Sequence, residues 1–185
     1  IPFGMNTKPN LTHGMKRSRL IDFAAGTSKI YPFRFNRSNA VHFCHFNKCY
    51  YIAYSDGLRI FYPDGDEKEI SMPDGKKIIA TSFASDELGN IYIGTVNQGV
   101  IIMNSDLLIK NITVQNGLSN NYCRRLFYQD GVIWVLTKNS LDFIQDNEVE
   151  NIGAKLAINY LEIKDIAFKE GNLYMATKTG IIEID

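Results

Sequence analysis

The sequence predicts an all-β protein, a β-propeller segment made of four-stranded antiparallel blades and amounting to about four and a half blades. Three observations lead to this prediction. A short apolar motif recurs along the chain, the aromatic residue at its centre returns at nearly constant spacing, and turn residues separate short apolar runs within each period. Four short strands in a period of about 40 residues are typical of propeller blades.

The recurring motif is an aromatic residue set among aliphatic residues. Its aromatic anchors, 41, 42 and 40 residues apart, are Tyr51, Tyr92, Trp134 and Tyr174. Three of the four copies carry a threonine three residues after the anchor, and all four continue with a small residue followed by an aliphatic one. The third copy is degenerate, because it has Leu136 and Ser140 where the second copy has glycines. The repeat places the four anchors at equivalent positions on the second strand of each blade.

The period divides the chain into blades at about 1–39 (partial), 40–76, 77–115, 116–160 and 161–185 (partial). Apolar runs between Gly, Pro, Asn and Asp turns mark the expected strands. These are 20–23 and 30–35; 40–46, 49–53, 57–62 and 68–71; 78–83, 91–95, 100–103 and 108–112; 123–128, 132–137, 141–144 and 149–152; and 163–168, 173–177 and 181–184. The second strand of each blade is apolar at consecutive positions, which predicts burial on both faces.

The two ends of the chain fall inside blades. The sequence starts at the apparent second strand of one blade and stops after the third strand of another, so the two ends do not make one clean blade. We therefore expect a slice of a larger propeller, completed by further blades or by a second copy in a dimer, because open apolar edges recruit other strands. The first residue is Ile1 and no signal peptide is seen, which indicates a chain that is processed or cut from a longer one.

Composition excludes some classes of partner. The 185 residues are 45% hydrophobic, enough for a core, and the formal net charge is zero. A nucleic-acid or anionic-membrane surface would need a basic excess, so neither partner is expected, and no apolar run reaches membrane-spanning length. The basic run 16–19 is interpreted as a solvated strand or turn.

Metal chemistry has two weak candidates. His42, Cys44, His45 and Cys49 lie close in sequence, but their spacing fits no standard zinc set, and core packing is the simpler interpretation. A Cys44–Cys49 disulfide is an alternative, although a two-residue turn at 47–48 would pair Cys49 with Phe46, and buried free thiols are favoured. The segment 64–67 resembles part of a calcium loop without its full pattern. No metal and no cofactor are expected.

The sequence also contains few signatures of a catalytic site. The sequence has no Gly-x-Ser-x-Gly motif, and no pair of opposed carboxylates stands out. Asp86 and Asp130 precede turn glycines, where an aspartate typically caps a turn. The sequence therefore predicts no catalytic residue in this segment.

Two stretches resemble a known family. The run 86–95, followed by Gly99 and Val100, and the run 116–121, followed by Asp130, Gly131 and Trp134, are similar to the two-component regulator propeller repeat. The resemblance covers 40–185 well and 1–39 weakly. It implies the periplasmic sensor region of a hybrid two-component histidine kinase of the Bacteroidetes type, outside an inner-membrane helix, with oligosaccharides as ligands of many members.

The expected function is therefore extracytoplasmic sensing without catalysis. Two alternatives remain open: an interaction scaffold with no small ligand, and part of a carbohydrate-active propeller enzyme whose catalytic groups lie elsewhere. Ligand contact is expected at one mouth of the propeller, where amides and a tyrosine suit a sugar, although Asn and Ser also favour turns. The residues proposed for it are Asn97, Gln98, Asn120, Asn121, Tyr122, Lys138 and Asn139.

Overall fold

A computed structural model describes residues 17–22, 27–32, 38–138, 140–156 and 163–184. It divides the chain into two compact units, 1–37 and 38–185. In the first unit, β1 (Arg17–Asp22) and β2 (Thr27–Pro32) form an antiparallel hairpin. Both strands begin three residues before the positions expected from the sequence, so most of the basic run 16–19 belongs to a strand.

The second unit is a series of antiparallel sheets in which each strand pairs with the next one along the chain. The first blade contains β3 (Ser38–Phe43), β4 (Tyr50–Tyr54), β5 (Gly57–Phe61) and β6 (Glu67–Ile70). The second contains β7 (Ala80–Ser85), β8 (Ile91–Thr95), β9 (Val100–Met103) and β10 (Ile109–Ile112). The third contains β11 (Cys123–Gln129), β12 (Val132–Thr137), β13 (Leu141–Gln145) and β14 (Glu148–Asn151). The fourth contains β15 (Ile163–Lys169), β16 (Asn172–Thr177) and β17 (Ile181–Ile184).

Helical structure is limited to two single turns in the described residues. A 3-10 turn covers Val114–Asn116, and α1 covers Ile152–Lys155 directly after β14. The all-β propeller architecture predicted from the repeat is confirmed.

The four aromatic anchors occupy equivalent second-strand positions, as predicted. Tyr51 faces Ile60 of the third strand, Tyr92 faces Ile102, Trp134 faces Phe143 and Tyr174 faces Glu183. The small and aliphatic residues that follow each anchor also align. The aliphatic residue lies two positions before the partner of the anchor in every blade, and these residues are Leu58, Val100, Leu141 and Ile181. The constant spacing in the sequence therefore reflects a constant strand register.

Burial of the second strands follows the predicted pattern in three blades. Residues 51–54, 93–95 and 135–137 are buried at consecutive positions. Each of these strands lies between two packed faces, and a strand covered on both faces is apolar throughout. In β16, the last two residues are only half-buried, so the fourth blade follows the pattern less closely.

Three apolar clusters join neighbouring blades. One contains Tyr51 and Ile60 of the first blade with Ile91 and Ile93 of the second. A second cluster joins the second blade to the third, and a third cluster joins the third blade to the fourth. The blades thus pack face to face, and the core lies between sheets rather than inside any one of them.

The hairpin of the first blade differs from the expectation. β3 ends at Phe43 rather than 46, and the connection is a four-residue turn over 45–48 in which Lys48 has a φ of 59°. Cys44 therefore faces Cys49, with a backbone hydrogen bond of 3.0 Å from the Cys44 N–H to the Cys49 carbonyl. The expected pairing of Cys49 with Phe46 is wrong because the turn is two residues longer. Cys44, Cys49 and Cys123 are all buried free thiols.

Candidate ligand-binding surfaces

The blades present two different ends. Because consecutive strands run in opposite directions, the connections after the first and third strands of each blade lie at one end, here called the turn end. The connections after the second and fourth strands lie at the other, here called the loop end. All of the residues proposed from the sequence that the structure describes belong to loop-end connections.

The repeated threonine closes the connection between the second and third strands. Thr95 is buried, and its Oγ1 accepts a hydrogen bond from the Gln98 N–H at 2.8 Å and donates one to the Gly99 carbonyl at 2.8 Å. Thr137 binds both backbone groups of Ser140 in the same way, and Thr177 donates to the Gly180 carbonyl. The threonine is thus a structural part of the repeat, a role that its recurrence could have indicated.

Asn97 and Gln98 lie in the connection that Thr95 closes. Asn97 is exposed and Gln98 is half-buried, and the Gln98 carbonyl accepts from Asn111 Nδ2 at 3.3 Å. Within the described part of the chain, Gln98 Oε1 is buried without a hydrogen-bond partner. The Gly99 N–H donates to the Asn121 carbonyl at 3.0 Å, which joins this connection to the one between β10 and β11. The structure therefore brings two of the three proposed loops together.

The residues Asn120 and Asn121 serve the backbone of their own loop. Asn120 Oδ1 accepts from the Tyr122 N–H at 2.8 Å, and Asn121 Oδ1 accepts from the Val114 N–H at 2.9 Å. These bonds give both side chains the turn-forming role that was the alternative to ligand contact. Tyr122 is 38% exposed and remains available on the surface.

The third proposed loop is only partly described. Lys138 is exposed, and in the part of the chain that the structure covers it forms no hydrogen bond with either neighbouring loop. Asn139 lies outside the described residues.

A buried acid that was not predicted from the sequence lies beneath the loop end. Asp142 in β13 is 0% exposed, and its Oδ2 accepts from the Ser119 N–H at 2.9 Å and from Ser119 Oγ at 2.6 Å. Its Oδ1 is buried without a partner among the described residues. Burial raises the pKa of the Asp142 carboxyl, while the hydrogen bonds from Ser119 oppose the rise. The signal was an aspartate inside the apolar run 141–144.

At the turn end, Asp86 caps the connection between β7 and β8, as predicted. Its Oδ1 accepts from the Leu88 and Asn90 N–H groups at 3.0 and 2.8 Å. Its Oδ2 accepts from Asn90 Nδ2 at 2.7 Å and from the Tyr92 hydroxyl at 3.2 Å. All of these donors belong to the turn or the strand that follows it, so this carboxylate is engaged in local structure.

A cleft of about 480 Å³ opens at the turn end between the second and third blades. Its apolar surface includes Tyr92, Ile102 and Tyr128, which pack against the cluster that joins these blades. Tyr128 donates to Glu87 across the blade boundary, and this hydrogen bond raises the pKa of the Tyr128 hydroxyl. This cleft is not evident from the sequence, because its walls come from two blades and belong to structural motifs of the repeat.

Within the described residues, the side chains considered as metal ligands or nucleophiles have structural roles. His42 Nε2 lies 3.0 Å from Ser85 Oγ, and the His42 ring stacks on Phe83 of the neighbouring blade. Burial raises the pKa of Cys123 to about 12, which keeps this thiol protonated. Asp64 Oδ1 accepts from the Asp66 N–H, as in an ordinary turn. No group of three metal-ligating side chains occurs within the described ranges.

Comparison with known proteins shows the fold. No protein-family model matches the chain, and no curated protein sequence does. The chain is similar in structure to the extracellular domain of a protein described as a one component system of B. thetaiotaomicron, with a TM-score of 0.70 and 16% identity over 95% of this chain and 30% of that one. A second similar structure is the extracellular domain of a hybrid two component system of the same organism, with a TM-score of 0.64 and 19% identity over 83% of this chain and 23% of that one.

An enzyme also shares this architecture. Virginiamycin B lyase from Staphylococcus aureus has a TM-score of 0.66 and 13% identity over 91% of this chain and 62% of the lyase. The chain thus spans less than a third of the two extracellular domains and less than two thirds of the lyase. None of the described helices has the length and apolarity needed to traverse a lipid bilayer.

Proposed function

We propose that this chain is part of the extracytoplasmic, ligand-sensing propeller of a hybrid two-component histidine kinase, and that it binds an oligosaccharide without chemical turnover. The observation that supports the proposal is the similarity to extracellular domains of bacterial signalling systems over 95% and 83% of the chain. The stretches 86–95 and 116–121 resemble the two-component regulator propeller repeat, and this resemblance implies the same class of protein. The periplasm is the corresponding location.

Binding without catalysis is supported by the structural roles of Asp86, Asp142 and the three thiols, although the exposed carboxylates of Glu87 and Asp146 line an open cleft. Asp86 caps a turn, Asp142 is buried beneath a loop, and the three thiols are buried. General acid–base or nucleophilic catalysis requires such groups to reach a substrate in an open site. Because a lyase has the same architecture, turnover has to be tested directly.

For ligand contact, the loop end offers Asn97, Gln98 and Tyr122 on two connections that hydrogen-bond to each other. An amide supplies both donor and acceptor, and a tyrosine supplies a flat apolar face with a polar tip. Asn120 and Asn121 contribute by shaping this surface, and Lys138 extends it onto the third blade. Asn139, the next residue in the sequence, is also proposed as a contact. This assignment of contacts is part of the proposal.

A scaffold function is the second candidate, and one observation favours it. Ile181 in β17 is 76% exposed, and within the described residues β17 pairs with β16 alone. An apolar residue on an open strand edge suits another blade or a second copy of the chain. Light scattering on the complete ectodomain distinguishes a dimer from a monomer and thereby tests association between copies.

The test of sensing is calorimetry of the complete ectodomain against a panel of oligosaccharides. We expect one member of the panel to bind, and Asn97→Ala or Tyr122→Ala to weaken its binding at least threefold. Chromatography detects whether the ectodomain cleaves a bound glycoside by hydrolysis or elimination. Such cleavage would overturn the non-enzymatic assignment. If no saccharide binds while a protein partner does, the scaffold function replaces the sensing function.

A further inference from the structure

The cleft at the turn end has the dimensions and surfaces of a small-molecule site. Its volume of about 480 Å³ falls in the range of about 300–1,000 Å³ that is typical of ligand pockets. The rings of Tyr92 and Tyr128 and the side chain of Ile102 are half-buried against the core between the second and third blades. The cleft therefore has an apolar surface that is still accessible to a ligand.

The two tyrosines are held in place before any ligand arrives. The Tyr92 hydroxyl donates to Asp86 at 3.2 Å, and the Tyr128 hydroxyl donates to Glu87. The bond between Tyr128 and Glu87 joins the second and third blades across the cleft. A surface that is already ordered loses less conformational entropy when a ligand binds.

Around the apolar surface lie groups that bind hydroxyls. Glu87, Asp146 and Asn147 line the cleft and are exposed. Carboxylate and amide oxygens accept hydrogen bonds from hydroxyl groups, and the Asn147 side chain can also donate. A pyranose ring has the matching surfaces, since its C–H face packs on an aromatic ring and its hydroxyls point outward.

The charge of the cleft selects between classes of saccharide. Three carboxylates line it, those of Asp86, Glu87 and Asp146, and among the described residues no lysine or arginine does. Uronate or sulfate groups would meet like charges at short range without a cationic partner. An uncharged ligand avoids this repulsion.

We propose that this cleft is a binding subsite for an uncharged saccharide unit, separate from the loop-end residues. The inference rests on the proposed function for the class of ligand, but its location and its selectivity come from the cleft itself. Tyr92 and Tyr128 provide the stacking surface, and Glu87, Asp146 and Asn147 accept the hydroxyls. Saccharides that carry acidic groups are rejected here.

The experiment is calorimetry of the complete ectodomain with matched pairs of probes. These are neutral gluco-, galacto-, manno- and xylo-oligosaccharides and uronate-containing oligomers of equal length. We expect the neutral member of a pair to bind at least tenfold more tightly. Tyr128→Ala and Asn147→Gly should each weaken its binding at least fivefold. Asn147 has a φ of 68°, so glycine fits its backbone and this variant is expected to fold even if Tyr128→Ala does not.

Charge selectivity has its own variant and control. The double substitution Glu87→Gln with Asp146→Asn removes two charges and keeps the hydrogen-bonding groups, so it should reduce the preference for neutral probes at least threefold. Asp106→Asn is the matched control, because Asp106 is an exposed residue of the equivalent turn in the second blade and does not line the cleft. This control should leave the preference unchanged.

The outcomes separate this inference from the function on which it rests. If the affinity for a saccharide changes less than twofold in the cleft variants but is lowered in Tyr122→Ala, the cleft is not the binding site. The proposed sensing function is then unaffected. A uronate oligomer that binds more tightly than its neutral counterpart, and loses affinity in Asn147→Gly, overturns the selectivity. If no saccharide binds, the proposed ligand class fails and the inference fails with it.

Discussion

Ser119 donates two hydrogen bonds to the same oxygen of Asp142, one from its backbone N–H at 2.9 Å and one from its hydroxyl at 2.6 Å. This pair attaches the loop between β10 and β11 to the third strand of the third blade. The second carboxylate oxygen of Asp142 is buried without a partner among the described residues. An acid that is desolvated and only half satisfied favours its neutral form, because an unpaired buried charge is costly.

Stability should therefore depend on pH through Asp142. Its pKa in the folded protein is raised from the ordinary value of 3.8, so between 3.8 and the raised value the folded state binds more protons than the unfolded state. The free energy of unfolding then rises as the pH falls through this window. We expect wild type to gain stability relative to Asp142→Asn between pH 7 and pH 4.5, with a slope of at most about 1.4 kcal/mol per pH unit. Urea unfolding measures this, and a difference that is constant with pH contradicts it.

Removing the hydroxyl of Ser119 should destabilise the fold. Ser119→Ala deletes the bond of 2.6 Å and leaves Asp142 with the backbone N–H as its remaining donor. A hydrogen bond contributes about 0.5–1.5 kcal/mol, or about 1.5–3 kcal/mol when one partner is charged, so we expect a loss of about 0.5–3 kcal/mol at pH 7. Ser55→Ala, at an exposed turn, is the control and should change the free energy of unfolding by less than about 0.5 kcal/mol. Equal effects of the two substitutions would show that the buried bond contributes little.

Among the repeated threonines, the buried Thr95 should contribute more to the free energy of unfolding than the half-buried Thr177. Thr95→Val keeps the shape of the side chain but leaves the Gln98 N–H without this acceptor, while the Gly99 carbonyl keeps the bond of 3.2 Å from the Thr95 backbone N–H. A loss of about 1–3 kcal/mol is expected from the donor that is left unsatisfied beside a buried side chain. Thr177→Val removes the equivalent bond where water can replace it, and should cost less than about 1 kcal/mol. Chemical unfolding of both variants tests the order, and a larger loss at Thr177 would contradict it.

Much of the fold could be predicted because the repeat imposes one register on every blade. Tyr51, Tyr92, Trp134 and Tyr174 mark second strands in both the sequence and the structure. Asp86 could be assigned to a turn because an aspartate three residues before a glycine accepts the N–H groups that the turn leaves open. Local chemistry of this kind can be recognised in a sequence.

The features that escaped prediction depend on contacts between distant residues. The turn over 45–48 is longer than expected because Lys48 adopts a left-handed conformation that its residue type does not indicate. The partner of Asp142 is 23 positions away in sequence, and the cleft takes its walls from two blades. Asn120 and Asn121 matched the chemistry of sugar binding, but their side-chain oxygens bind their own loop.

Trp134 should contribute to packing between the third and fourth blades. Its ring centroid lies 5.3 Å from that of Phe168 and 5.7 Å from that of Phe143, and the side chain is half-buried. Full burial would make Trp134→Ala cost about 3–5 kcal/mol, so we expect a value near the lower limit of that range. Trp134→Phe keeps an aromatic contact and should lose less than half as much. Urea unfolding measures both, and a loss below about 1 kcal/mol for alanine would mean that the ring contributes little to packing.

Among the glycines of the loop end, Gly99 is expected to lose the most stability when it is replaced by alanine. Its φ is 74°, and a Cβ built there would overlap the Ile112 carbonyl oxygen, which belongs to the backbone of β10. Gly75 is a matched control, since its φ is 81° but nothing lies within 4 Å of a Cβ at that position. Both alanine substitutions cost about 1–2 kcal/mol for the left-handed backbone. Gly99→Ala must also displace β10 or the hydrogen bond from Gly99 to Asn121, so we expect it to lose at least about 2 kcal/mol more than Gly75→Ala in urea unfolding. Equal losses for the two variants would show that the connection between β8 and β9 can move away from β10 at little cost.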